Sequence, residues 1–234
     1  MAKFTVVYSD FLARLDEVEI LRKKAEYLEK NAHIEIKFKN EINALCRGSV
    51  VLLLSHVEAY IKELGEHALE IFYKKKLNRD KFAPQFFYHI SKDIVDEIKN
   101  TSDHKGLSIK LLNFVETDGE FWKQGVCLPK QIPVERFNKG FSNPSFKKIK
   151  AYLGRFGYSS YQGDLKSILK RDSEITINMI DQLVNMRNKI AHGDSNETST
   201  PEEIKIIIEF VRRFCRATDV AFSNWCKNEL CSIR

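Results

Sequence analysis

An all-α fold is predicted for this chain of 234 residues by three observations. Apolar side chains recur at three-and-four spacing over long stretches, helix-start and helix-stop residues bracket those stretches, and no repeat, low-complexity tract or phosphate-binding glycine loop interrupts them. The expected architecture is one domain over residues 1–234: a helical bundle with a loop-rich insertion at about 117–165, between the early and late helices.

From about Ser9 to Asn31, Phe11, Leu12, Leu15, Val18, Leu21, Ala25 and Leu28 form an amphipathic stripe, with Ser9 or Asp10 as the cap. A longer pattern runs from about Ile36 to Tyr73. Its middle, Val50-Val51-Leu52-Leu53-Leu54, is apolar all round and reads as the central buried helix, with a kink expected at Gly48. Pro84 opens a helix to about Lys99, and Gly106 precedes another that ends near Glu116. Between Glu116 and about Pro144 the periodicity fades among Gly119, Gly125, Pro129, Pro133 and Gly140, so a loop is expected there, with room for a strand pair. Asn143-Pro144 reads as cap and first position of a helix over Ser145 to Phe156, and a brief helix covers Asp164 to Leu169. Ser173 caps a helix that turns Ile175, Met179, Ile180, Leu183, Val184 and Ile190 inward and stops at Gly193. Thr200-Pro201-Glu202-Glu203 combines a capping box with proline at the first position and launches the last helix toward Trp225.

With 43% hydrophobic and 30% charged residues, the composition excludes a disordered chain and supports a real core. The run Val50 to Leu54 is too short to span a bilayer, and Met-Ala-Lys-Phe-Thr lacks a signal-peptide layout, so no membrane association and a cytoplasmic location are expected. Five widely spaced cysteines without a C-x-x-C pair argue against a disulfide framework. Cys226 and Cys231 have no histidine nearby to complete a metal set, so no metal and no cofactor are assigned. The net charge of +6 permits a polyanionic partner. The basic runs at Arg22–Lys24, Lys74–Lys76, Lys147–Lys148 and Arg212–Arg213 read individually as solvated helix faces.

The chemically pointed segment is Arg187-Asn188-Lys189-Ile190-Ala191-His192-Gly193-Asp194, where an arginine, an amide and an imidazole meet a helix end. Arginine offers forked donors to phosphate oxygens, and histidine exchanges protons near neutrality. Asn188 and His192 share a helix face, whereas Arg187 and His192 are five positions apart, about 140° of rotation. Arginine and histidine therefore meet only if Arg187 swings round and His192 leaves the regular helix. Otherwise Arg187 and Lys189 solvate the helix and His192 complements its dipole.

This Arg-x-x-x-x-His pattern, at the end of the penultimate helix and followed by Gly-Asp, resembles the signature of the HEPN superfamily. The segment from Arg47 through Leu54, His56, Glu58 and Tyr60 resembles the buried helix of its RiboL-PSP/MAE-like branch, in which an apolar run leads to a glutamate and an aromatic. The resemblance implies a helical bundle that dimerises so that two motifs line one cleft and act as a metal-independent endoribonuclease. Such proteins are often toxins or defence effectors, and the resemblance leaves room for an antitoxin or regulatory partner beside the homodimer. Arg187 would hold the scissile phosphate, His192 would move the proton of the 2′-hydroxyl or the leaving oxygen, and Asn188 would orient phosphate or imidazole. The product would be a 2′,3′-cyclic phosphate, with RNA and not DNA as substrate.

Glu58, one turn beyond Leu54, needs a partner if buried; Arg187 or the His192 imidazolium would supply one. It then either tunes the site or forms a structural ion pair. His56 reads as structural and Tyr60 as core, and Phe86, Phe87, Tyr88, Tyr152, Tyr158 and Tyr161 read as core before they read as base-stacking surfaces. Two other functions compete with the nuclease: a non-catalytic module binding RNA, nucleotide or protein within a two-component system, and a helical scaffold indifferent to Arg187 and His192.

Overall fold

Residues 3–31, 37–194 and 197–234 are described by a computed structural model, and among them helix is the only extended secondary structure. In chain order the helices are α1 (Val6–Asn31), α2 (Lys37–Lys74), α3 (Pro84–Lys99), α4 (His104–Thr117), α5 (Val134–Asn138), α6 (Phe146–Gly154), α7 (Tyr161–Leu169), α8 (Ser173–Ala191) and α9 (Pro201–Glu229). The expected start at Ile36, together with His33 and Met1-Ala2, lies outside the described residues.

α2 is the axle of the bundle. Cys46, Val50, Leu53, Leu54, Val57, Tyr60, Ile61, Leu64 and Ala68 are all buried, on a helix packed by α1, α8 and α9. By length and composition α2 also suffices to cross a membrane, but a core helix passes the same test, and this one packs against α1, α8 and α9. It runs as one continuous helix through Gly48, where a side chain would meet only Leu21 at ordinary contact distance.

Several helix ends differ from expectation because a nearby side chain captures the free N–H groups first. α1 begins at Val6: Thr5 Oγ1 accepts the Tyr8 N–H at 3.2 Å, so Thr5 is the cap and Ser9 and Asp10 lie within the helix. Thr5 is itself fastened to buried Asp219 of α9, to which its N–H (3.2 Å) and hydroxyl both donate. Asp103 caps α4 by accepting the Gly106 N–H at 2.6 Å, which puts Gly106 inside the first turn. Ser145 caps α6, whereas Asn143 has φ +51, a left-handed conformation rather than a cap's extended one. Ser173 is the buried first residue of α8, not its cap. Ile175 is 53% exposed, because Thr176 and Ile177 take the inward positions that continue to Ile180, Leu183 and Val184. The box at the start of α9 is complete, with Glu203 N–H to Thr200 Oγ1 at 3.2 Å and Thr200 N–H to Glu203 Oε2 at 2.8 Å.

Segment 117–165 holds a 310 turn over Gly119–Trp122, α5, α6 and the start of α7. The strand pair it had room for reduces to one antiparallel bridge, Asn78 to Cys127. Phe121, Leu128, Ile132, Phe137, Phe141, Ile149, Tyr152, Leu153 and Phe156 from this segment are buried in the same core as α2. Polar ties reinforce the join: Tyr152 Oη donates to Asn138 Oδ1 at 2.6 Å, and Asn138 Nδ2 donates to Glu66 of α2 at 2.7 Å.

Candidate active site

Seven residues advance an α-helix by nearly two turns, so Arg187 falls about 20° from Ile180, on the buried stripe of α8. The stripe runs out there and an arginine stands where another apolar residue would be. Arg187 and Asn188 are both half-buried, and Arg187 Nη1 donates to Asn188 Oδ1 at 3.3 Å. His192 caps α8 at its C-terminal end with φ −84 and ψ 6, so it leaves the regular helix, and its side chain is exposed.

The backbone closes this end as a Schellman turn. Gly193 at φ +84 donates its N–H to Ile190 O at 3.1 Å, and Asp194 N–H reaches Lys189 O at 3.0 Å. A side chain at 193 would be strained at that φ, which accounts for glycine directly after the histidine. The turn places the His192 side chain just past the last turn of α8.

One residue of this neighbourhood was not singled out from the sequence. Arg47 of α2 reaches across to the segment after the motif, where its Nη1 donates to the carbonyls of Asp194 (2.5 Å) and Glu197 (3.1 Å). The Glu197 carboxylate meanwhile accepts Lys189 Nζ at 2.9 Å, which raises the Lys189 pKa by hydrogen bond and charge. Helix α8, its exit and α2 are thereby clamped together. The available signal was a cation beside Gly48, at the edge of the apolar middle of α2. Arg47→Ala is expected to lower the unfolding free energy by about 1.5–3 kcal/mol, the range for hydrogen bonds to a charged group; an unchanged urea midpoint would show that water serves the two carbonyls as well.

Glu58 is not held by either of the expected cations. Its Oε1 accepts Lys62 Nζ at 2.7 Å, and its Oε2 accepts the Asn143 N–H at 3.0 Å. Three residues further on, the Phe146 N–H donates to Asp181 of α8 at 2.8 Å. The turn 143–146 is thus gripped by a carboxylate from α2 and another from α8, which sets the two helices relative to each other. The structure therefore pairs Arg187 with Asn188, leaves the His192 side chain exposed at the end of the same helix, and gives Glu58 to the turn 143–146.

Tyr60 is fully buried and donates to Cys215 O at 3.0 Å, as a core residue. His56 lies 3.3 Å from Glu17 and its pKa is lowered by burial. All five thiols are free, and no group of three His, Cys, Asp or Glu suited to a metal occurs among the described residues. Beside the motif, a groove of about 280 Å³ between α8 and α9 is lined by Met179, Met186, Ile206 and Ile207 along with polar Gln182 and Glu203.

The RiboL-PSP-HEPN family matches residues 9–224, and the chain belongs to that family. An all-helical bundle of this family belongs to a class of nuclease-like or RNA-binding modules. No curated protein and no solved structure matches it.

Proposed function

We propose that this protein is a metal-independent endoribonuclease that cleaves RNA by attack of a 2′-hydroxyl on the adjacent phosphate, and that it serves as a toxin or defence effector under a regulatory partner. The observation that carries the reading is the joint presentation of a paired Arg187–Asn188 and an outward His192 at one closed helix end. Arg187 binds the phosphate oxygens and offsets the charge that builds in the transition state, while Asn188 orients the guanidinium or the phosphate. A neutral imidazole removes the 2′-hydroxyl proton as the 2′-oxygen bonds to phosphorus. The bond from phosphorus to the 5′-oxygen then breaks, and that oxygen takes a proton from an imidazolium. Acid and base are two groups, and each chain offers one such histidine. A homodimer that faces two motifs across a cleft supplies both, and the apolar side chains beside the motif, Met179, Met186 and Ile206, suit the joining surface. Glu58 has the positioning part, holding α2 to the turn that Asp181 holds to α8.

The test is to incubate wild type and Arg187→Ala/His192→Ala with total RNA in chelator and map the fragment ends. Motif-dependent cuts leaving 2′,3′-cyclic phosphates are expected, and a need for added divalent metal would overturn the mechanism. RNA retention by both proteins without cleavage would favour the non-catalytic module.

A further inference from the structure

α4 is the one long helix of the described chain with no buried residue. Its inner side leans on α3 and on the 310 turn at Gly119–Trp122, with Phe114 against Trp122 at 6.0 Å between ring centroids. Its outer side carries Ile109 at 61%, Leu112 at 60% and Val115 at 63% exposure, beside Leu111. Isolated helices of this length are marginal in water and ordinarily depend on a buried apolar face. Here that face is uncovered.

We propose that α4 docks antiparallel on α4 of a second copy of this chain. Lys105, Ile109, Leu112 and Glu116 fall within an arc of about 60° on the helix, forming one stripe with a cation at its start, two large apolar residues in its middle and an anion at its end. Neither Lys105 nor Glu116 makes an ion pair or side-chain hydrogen bond among the described residues, so both charges are available to a partner. A two-fold axis level with the Lys110-Leu111 peptide sets Ile109 of each copy against Leu112 of the other and Lys105 of each against Glu116 of the other. A parallel alignment would oppose like charges. An isologous contact demands this self-complementarity, and an unrelated partner gives no reason for it.

This surface stands apart from the motif. The exit of α8 is clamped at Arg47, whereas α4 is joined to the far end of α2 through the ring series Phe72, Phe82, Phe87, Trp122 and Phe114. From Arg47 to Phe72 is about 38 Å along the helix axis. Pairing through α4 therefore stands or falls independently of the ribonuclease reading and adds a second two-fold to any dimer that closes the site. One helix pair buries less than a standard interface, so association belongs in the micromolar range.

The experiment is a light-scattering mass at about 100 µM for wild type, Leu112→Glu, Lys105→Glu, Glu116→Lys and the double reversal Lys105→Glu/Glu116→Lys, with circular dichroism as the check on folding. Wild type is expected at twice the mass of Leu112→Glu. Each single reversal is expected to weaken association about tenfold, since both symmetry-related pairs turn repulsive, and the double reversal to restore it. Equal masses for wild type and Leu112→Glu would overturn the proposal and leave the face to a different partner. A double reversal no better than the singles would overturn the antiparallel register.

Discussion

His192→Ala is expected to reduce RNA cleavage by about 10²–10⁴-fold, the usual contribution of a positioned proton-transfer group, while leaving the unfolding transition where it was. Both halves follow from the C-terminal end of α8. The imidazole is exposed and makes no side-chain hydrogen bond or ion pair among the described residues, whereas the hydrogen bonds that close the helix come from the backbone N–H groups of His192, Gly193 and Asp194, which alanine at 192 retains. Single-turnover cleavage and a thermal melt on the same preparation decide the matter. Full cleavage by a folded variant would remove His192 from the mechanism. Loss of cleavage together with loss of fold would mean the side chain is structural after all.

Phe156→Ala is expected to cost about 3–5 kcal/mol of stability, a large part of the 5–15 kcal/mol typical of a whole domain. The ring lies between α6 and α7 and is fully buried, with centroid distances of 4.6 Å to Phe137, 5.2 Å to Phe222, 6.1 Å to Phe86, 6.2 Å to Tyr152 and 6.3 Å to Phe72. Those five rings come from α5, α9, α3, α6 and α2. Removing the ring leaves a cavity that rigid helices on several sides cannot close, so the urea midpoint should fall sharply with little change in slope. A loss below about 1 kcal/mol would mean that segment 117–165 merely covers a core complete without it.

The long helices and the class of fold were legible in the chain because both are written in local patterns. The stripe of α1, the apolar middle of α2, proline at the start of α3 and the Thr200 box at α9 act over one or two helical turns, and the helices lie where those signals put them. The Arg-Asn-x-x-x-His segment with its glycine stop was equally readable, since the closure of a helix end is settled by its own last residues.

Where partners are distant in sequence, local pattern was silent or misleading. Ser9 or Asp10 read as the cap of α1, but Thr5 takes that place, held by Asp219, 214 residues away. Ile175 fits the apolar stripe of α8 by composition, but the direction in which α8 faces α2 and α9 turned it outward. Glu58 was assigned a partner by charge alone, and the turn 143–146, through the Asn143 N–H, took the place expected of Arg187 or His192. Arg47 acquired meaning only when α2 and the exit of α8 came within reach of one guanidinium. By itself the sequence determined helix, bundle and family and pointed to Arg187, Asn188 and His192, because periodicity and capping are short-range. Tertiary structure alone decided which charges meet, which apolar face stays bare on α4, and how the aromatic residues of 117–165 join the core, because those outcomes depend on side chains that only the packed bundle brings together.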